Sequence, residues 1–243
     1  MIKNKAPTNV IQANFGSEFK PMSRSHLDRE IEKLKQMILA LSALVEESVH
    51  RAVRSVRDND VELARMVIDG DSEIDSAEVD VEEECLKALA LYQPVTIDLR
   101  FIVAVLKMNN DLERIGDLSA NIAGRALSLA KHPPLEPPFD LESMSEKTQK
   151  MLRDALQSLV TMDSNLANSV RTADSAVDEI HRATYKRVQE EVKRTPQHAT
   201  QLITYLSVAR HLERIADQAT NIAEDVIYMI DGAIVRHTPE GQI

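Results

Sequence analysis

Tryptophan is absent from the 243 residues, and the chain holds only four phenylalanines, four tyrosines, six glycines and one cysteine. Sheet proteins lean on aromatic and β-branched residues and on glycine-rich turns, so this composition points away from β architecture. The lone cysteine, Cys85, excludes an internal disulfide and any cysteine-rich zinc site, and fits the reducing cytoplasm. Six glycines leave little for a nucleotide cradle, and there is no Gly-rich phosphate loop, Gly-x-Ser-x-Gly elbow or His-Glu-x-x-His pattern. Long apolar runs are missing too. The longest, residues 101–106, lies between Arg100 and Lys107 and falls far short of the roughly 20 residues of a membrane span. Residues 1–22, broken by Pro7, Gly16 and Pro21, lack the apolar stretch of a secretory peptide. Positive charge is in deficit: 29 Lys and Arg against 39 Asp and Glu give a net charge of −10, which disfavours nucleic acid as a partner.

What the chain does have is helical periodicity. Leu34, Met37, Ile38, Leu41, Leu44, Val45 and Val49 recur at three-and-four spacing and predict a helix over 25–57. Asp58-Asn59-Asp60 breaks it and supplies capping side chains for a second helix over 61–91, whose core row is Leu63, Val67, Ile74, Val81, Cys85 and Ala88. Gln93-Pro94 ends that helix, and a third runs over 96–131. His132-Pro133-Pro134-Leu135-Glu136-Pro137-Pro138 cannot be helix interior and marks a linker, 132–140. Three further helices follow over 141–162, 163–194 and 196–229, the last opened by Thr195-Pro196.

The second set repeats the first. Leu112-Glu113-Arg114-Ile115 recurs as Leu212-Glu213-Arg214-Ile215, Asp117 as Asp217, and Asn121-Ile122-Ala123 as Asn221-Ile222-Ala223. At a slightly larger offset, Asp60, Leu63, Ala64, Val67, Asp71 and Asp75 align with Asp163, Leu166, Ala167, Val170, Asp174 and Asp178. Matches that keep their order across two helices indicate a duplicated unit. The expected fold is all-α, with two tandem, pseudo-symmetric antiparallel three-helix bundles over 25–131 and 141–232. A flexible arm (1–24) and a tail (233–243) flank them.

Carboxylates fall in a pattern on these helices. The third carries a core row of Val105, Met108, Leu112, Ile115, Ser119, Ile122 and Ala126. Its charged sector holds Arg100, Lys107, Asp111, Arg114 and Arg125. Glu113 and Asp117 lie outside that sector, on an arc with Leu99, Ile102, Leu106, Ala120 and Gly124; Glu213 and Asp217 lie likewise beside Leu202, Leu206 and Thr220. Counting outward from the turns at Gln93 and Thr195, antiparallel helices bring Asp71 and Asp75 to the height of Glu113 and Asp117, and Asp174 and Asp178 to that of Glu213 and Asp217. Four acids gathered in each half repel one another, and a bound cation relieves that repulsion. Oxygen-only sites suit divalent or trivalent ions such as magnesium, manganese, calcium, iron or zinc. The alternative is a solvated face with Arg114 and Arg214 as partners. Glu47-Ser48-Val49-His50 has the Glu-x-x-His spacing of di-iron bundles but occurs once, His181 reads as a surface residue next to the second set, and Cys85 reads as buried packing.

The repeated Glu-x-x-x-Asp, together with the stretch from Asp71 through Glu82-Glu83-Glu84-Cys85 to Leu91-Tyr92-Gln93-Pro94, resembles the PhoU family of bacterial phosphate-specific transport accessory proteins, over about residues 25–232. The resemblance implies a homodimer of paired three-helix bundles with metal ions on their acidic surfaces. It implies a cytoplasmic, non-enzymatic negative regulator of phosphate uptake and of the phosphate-starvation response. Such a protein links the ATP-binding subunit of the phosphate ABC transporter to a phosphate-sensing histidine kinase, and reaches the membrane through those partners only. Carried onto this chain, the metal positions are Glu113, Asp117, Glu213 and Asp217 with the facing Asp71, Asp75, Asp174 and Asp178, and Asn121 and Asn221 orient the ligands. His181 and Tyr185 stand where the first half has Glu78 and Glu82, so the halves need not hold the same ion. A carboxylate-bridged metalloenzyme is the rival expectation.

Overall fold

Each helix starts and stops where the sequence can satisfy its loose backbone groups. In the computed structural model, which describes residues 24–232 and Val235, the elements are α1 (Arg24–Arg57), α2 (Val61–Tyr92), α3 (Thr96–Leu129), α4 (Leu141–Thr161), α5 (Ser164–Arg194) and α6 (Ala199–Asp231). The expected arm, up to residue 23, and the tail other than Val235 lie outside the described residues. Asp60 caps α2 by accepting from the Leu63 N–H, Asp140 caps α4 through Ser143, and Asp163 accepts from both Asn165 and Leu166 at the start of α5. Gln93 and Met162 close α2 and α4 in the left-handed region, and Gly232, at φ 72°, closes α6.

Helix ends differ from expectation by one to three residues. The third helix stops at Leu129 instead of running to 131, because Lys131 and His132 turn back onto Ser128 and Leu129 ahead of the prolines. Pro196–His198 form a 3₁₀ turn ahead of α6, which itself continues to Asp231.

α1, α2 and α3 pack on one another, α4, α5 and α6 do the same, and α3 also lies against α6 while α1 touches α4. One continuous hydrophobic core therefore runs through both units. The core row read for α3 is buried at every position, and Leu112 and its counterpart Leu212 are wholly inaccessible. Each such leucine contributes about 1.5–3 kcal/mol of transfer free energy. α2 differs in one place: Ala64 is buried while Leu63 stays partly exposed. α3 and α6 run antiparallel, with Lys107 Nζ 3.2 Å from Asp225 Oδ1 and over the Tyr228 ring, and with Arg100 against Gly232. Buried hydroxyls of Ser42, Ser55, Ser119 and Ser158 donate back to carbonyls of their own helices, so these four groups are satisfied. The proline linker is pinned down: Gln201 Nε2 donates to the Pro133 carbonyl and Tyr205 Oη to that of Leu135, both at 2.8 Å, and Phe139 is buried. No described helix is long and apolar enough to cross a membrane.

Candidate functional site

Two seams organise the acids, one where α2 meets α3 and one where α5 meets α6. In the first, Gly116 lets α2 approach closely: a Cβ at that position would sit 3.0 Å from Ile74 Cγ2 and 3.4 Å from Asp71 Oδ1. Asp71 thus lies directly over the α3 backbone. The repeat resolves the same packing with swapped volumes, Ala216 standing where Gly116 does and Val177 where Ile74 does. One methyl has moved from one helix to the other, which keeps the helix spacing and hence the separation of the acids.

Electrostatics report how near the carboxylates come to one another. Burial, then the charges of Asp75 and Asp117, raises Asp71 above the ordinary aspartate range. Burial, then Asp117, Asp75 and Glu78, raises Glu113, with Arg114 the weakest influence and opposing. The second seam is more strongly perturbed. Asp174 is pushed up to about 6 by burial, Asp178 and Glu213. Asp217 also reaches about 6, through burial, Glu213, Asp174 and Asp178, with Arg214 opposing last. All eight expected residues therefore share a field with acids from the facing helix, four in each half.

The side chains nonetheless stand open. Among the described residues, no three His, Cys, Asp or Glu side chains are gathered so as to hold a metal ion as they stand. Asp75, Asp117 and Asp217 are exposed, while Asp71, Glu113, Asp174, Asp178 and Glu213 are partly buried. Like charges on neighbouring helices hold one another apart in this way. None of the eight carboxylates forms an ion pair with a described Lys or Arg, so Arg114 and Arg214 do not act as the capping partners of the solvated-face alternative. Carboxylate donors, raised at Asp71, Glu113, Asp174 and Asp217 and without a Lys or Arg counter-charge, fit a hard cation, provided the side chains rotate inward.

Other expectations shift. His181 is part of the second seam, with Nδ1 3.6 Å from Glu213 Oε1, so the two halves differ in donors as well as in burial. Asn121 donates to the Asp117 backbone carbonyl and does not orient a carboxylate. His50 meets Gln149, and Glu47 pairs with Arg51, which disposes of the single Glu-x-x-His. Cys85 is fully buried and its thiol is pushed up to about 12 by burial and by Glu84 and Glu82, an inert group. Glu78 was not singled out as a ligand from the sequence. It extends the first seam, raised by burial, Glu82 and Asp75, and buried Asn109 donates both to its side chain and to its backbone at 2.9 Å. Leu99, placed on a packed arc by the helical wheel, is 40% exposed. Asp111, placed in the solvated charged sector, is 7% exposed, because α6 covers that edge of α3.

The family model described as PhoU domain matches this chain twice, over residues 38–126 and 141–226, once for each seam. A phosphate-specific transport system accessory protein PhoU homolog of Aquifex aeolicus is 40% identical over 211 residues, covering 87% of this chain and 96% of the relative. The crystal structure of PhoU from Pseudomonas aeruginosa superposes with a TM-score of 0.82 at 34% identity, over 85% of this chain and all of that one. That of the phosphate transport system regulatory protein PhoU from Streptococcus pneumoniae gives 0.77 at 30% identity, over 86% and 99%.

Proposed function

The chain belongs to the PhoU family, and from that premise we propose that it is an accessory regulator of phosphate uptake and not an enzyme. It acts in the cytoplasm as a negative regulator of uptake and of the phosphate-starvation response. As a homodimer it links the ATP-binding subunit of the phosphate ABC transporter to a phosphate-sensing histidine kinase. The observation that carries this is the pair of uncompensated acid seams, one in each PhoU match, which repeat one arrangement in both halves of a shared core. A bound cation would supply positive charge and open coordination positions there. The chain's own residues do the rest. Asp71, Asp75, Glu113 and Asp117, and Asp174, Asp178, Glu213 and Asp217, would turn inward as ligands. Gly116 with Ile74, and Ala216 with Val177, hold the helices at the spacing that lets them meet. Met66, Val79 and Leu86, each about half exposed on α2, offer apolar area for a partner subunit. Cys85, the one strong nucleophile, is inaccessible, which favours docking over turnover.

The test is complementation. In a host lacking its own PhoU, this chain is expected to silence a phosphate-starvation reporter in phosphate-rich medium. Glu213→Ala with Asp217→Ala is expected to release the reporter and to lower the metal content of protein purified without chelators or a metal-affinity tag. A reporter that stays on with the wild-type chain refutes negative regulation. Equal metal content in wild type and variant refutes the seam as the metal site.

A further inference from the structure

The repeated Leu-Glu-Arg-Ile carries an arginine that the acid seams do not use. Arg214 is exposed, lies one turn from exposed Arg210 on the same stripe of α6, and flanks His211 with it. The antiparallel register fixed by Lys107–Asp225 and by Arg100 against Gly232 brings Arg125 of α3 alongside the same histidine. The charges of Arg125, Arg214 and Arg210 all reach the His211 ring, which places the three side chains around it. Its Nε2 is 3.3 Å from Ser207 Oγ, while its Nδ1 is buried without a hydrogen-bond partner. Arg125, Arg210 and Arg214 have no ion-pair partner among the described residues, and Asp217 feels Arg214 only weakly.

Pseudo-symmetry sharpens the contrast. The repeat pairs Asn110 with Arg210, Asp111 with His211, and Asp225 with Arg125. At one end of the α3–α6 groove the equivalent positions bury Asp111 and Asp225, the latter with Lys107; at the other end they carry arginines. The same packing frame thus presents opposite charge at its two ends, in a chain whose net charge is −10.

We infer that Arg125, Arg210 and Arg214, grouped around His211, form a binding site for a tetrahedral oxyanion of the phosphate class, separate from the acid seams. Planar guanidinium forks match such an anion two oxygens at a time, and three of them supply the charge a dianion needs. Free inorganic phosphate and the terminal phosphate of a nucleotide share this chemistry. The inference does not rest on the regulatory role or on metal in the seams.

The experiment is equilibrium binding of labelled inorganic phosphate to the full chain in the presence of a chelator, with ATP as a competitor. Saturable binding is expected, weakened about tenfold or more by Arg214→Gln and, separately, by Arg125→Gln. Lys87→Gln, which removes an equal charge close to the Gln93 turn, at the opposite end of the α2–α3 pair from Arg125, is expected to change it less than about twofold. Displacement by ATP would extend the site to nucleotide phosphates, and its absence would restrict the site to the free ion. Unaltered melting of each variant establishes that the fold is intact. No saturable binding below about 10 mM, binding unchanged in both arginine variants, or binding abolished by the chelator would each overturn the inference.

Discussion

Replacing Asp174 with Asn should stabilise this protein when metal is withheld, although it removes a residue of the candidate site. Asp174 lies partly buried among Asp178, Glu213 and Asp217, and its folded pKa is raised from 3.8 to about 6. The folded state therefore holds the proton more tightly than the unfolded chain does. Below about pH 4 the carboxyl is neutral in both states and costs nothing. As pH climbs from about 4 to above 6, the unfolded chain ionises freely while the folded seam resists, so stability falls. A shift of about two units is worth roughly 3 kcal/mol at 1.36 kcal/mol per unit, and water reaching a partly exposed seam reduces it to about 1–2 kcal/mol. Asp174→Asn is isosteric, removes the charge, and also relieves Asp217. The expected gain in urea unfolding with chelator is about 1–2 kcal/mol at pH 7.5, or about 3–6 °C in Tm, shrinking towards zero by pH 4. Saturating manganese should reverse the order. An ion at a hundredfold excess over its Kd adds about 2.7 kcal/mol to wild type, and the variant, short of a ligand, gains less. A variant less stable than wild type at pH 7.5 in chelator, or a gain independent of pH, would refute the reasoning.

Gly116→Leu should cost about 1–3 kcal/mol by driving α2 off α3 at Ile74, whereas Gly116→Ala with Ile74→Val, which copies the second half, should cost less than about 1.5 kcal/mol; urea titrations of both check this. Asp163→Ala, which strips two N–H acceptor contacts from the start of α5, should lower stability by about 1 kcal/mol with the m-value unchanged. Cys85 should resist a thiol reagent in the native state and react only at the rate of unfolding, and a fast native-state reaction would contradict its burial and its raised thiol pKa.

Local chemistry made most of the helices legible in advance. The three-and-four spacing of α1 and α3, the caps Asp60 and Asp163, and the breaks at Gln93-Pro94 and Pro133-Pro134 each act within a turn or two of chain, where sequence and structure are almost the same information. Discrepancies at the helix ends arise where turns compete with the helix for the same carbonyls, as at Lys131 and His132. The acids of each seam were recognisable because rise per residue converts counting from a turn into height, and antiparallel neighbours on a short connection leave little choice of partner.

What the amino-acid order determined by itself, then, is a duplicated set of amphipathic helices, with Glu113, Asp117, Glu213 and Asp217 aimed at their hairpin neighbours. Only the packing of α3 against α6 decided that Asp111 is buried, that Arg125 comes beside His211, and that both halves share one core. Likewise, only the approach of α5 to α6 brought His181 to Glu213, and that of α2 to α3 brought Asn109 to Glu78. The physical reason is range: a helical wheel records how one helix divides its own surface, whereas which sector loses its water depends on residues distant in the chain that close over it.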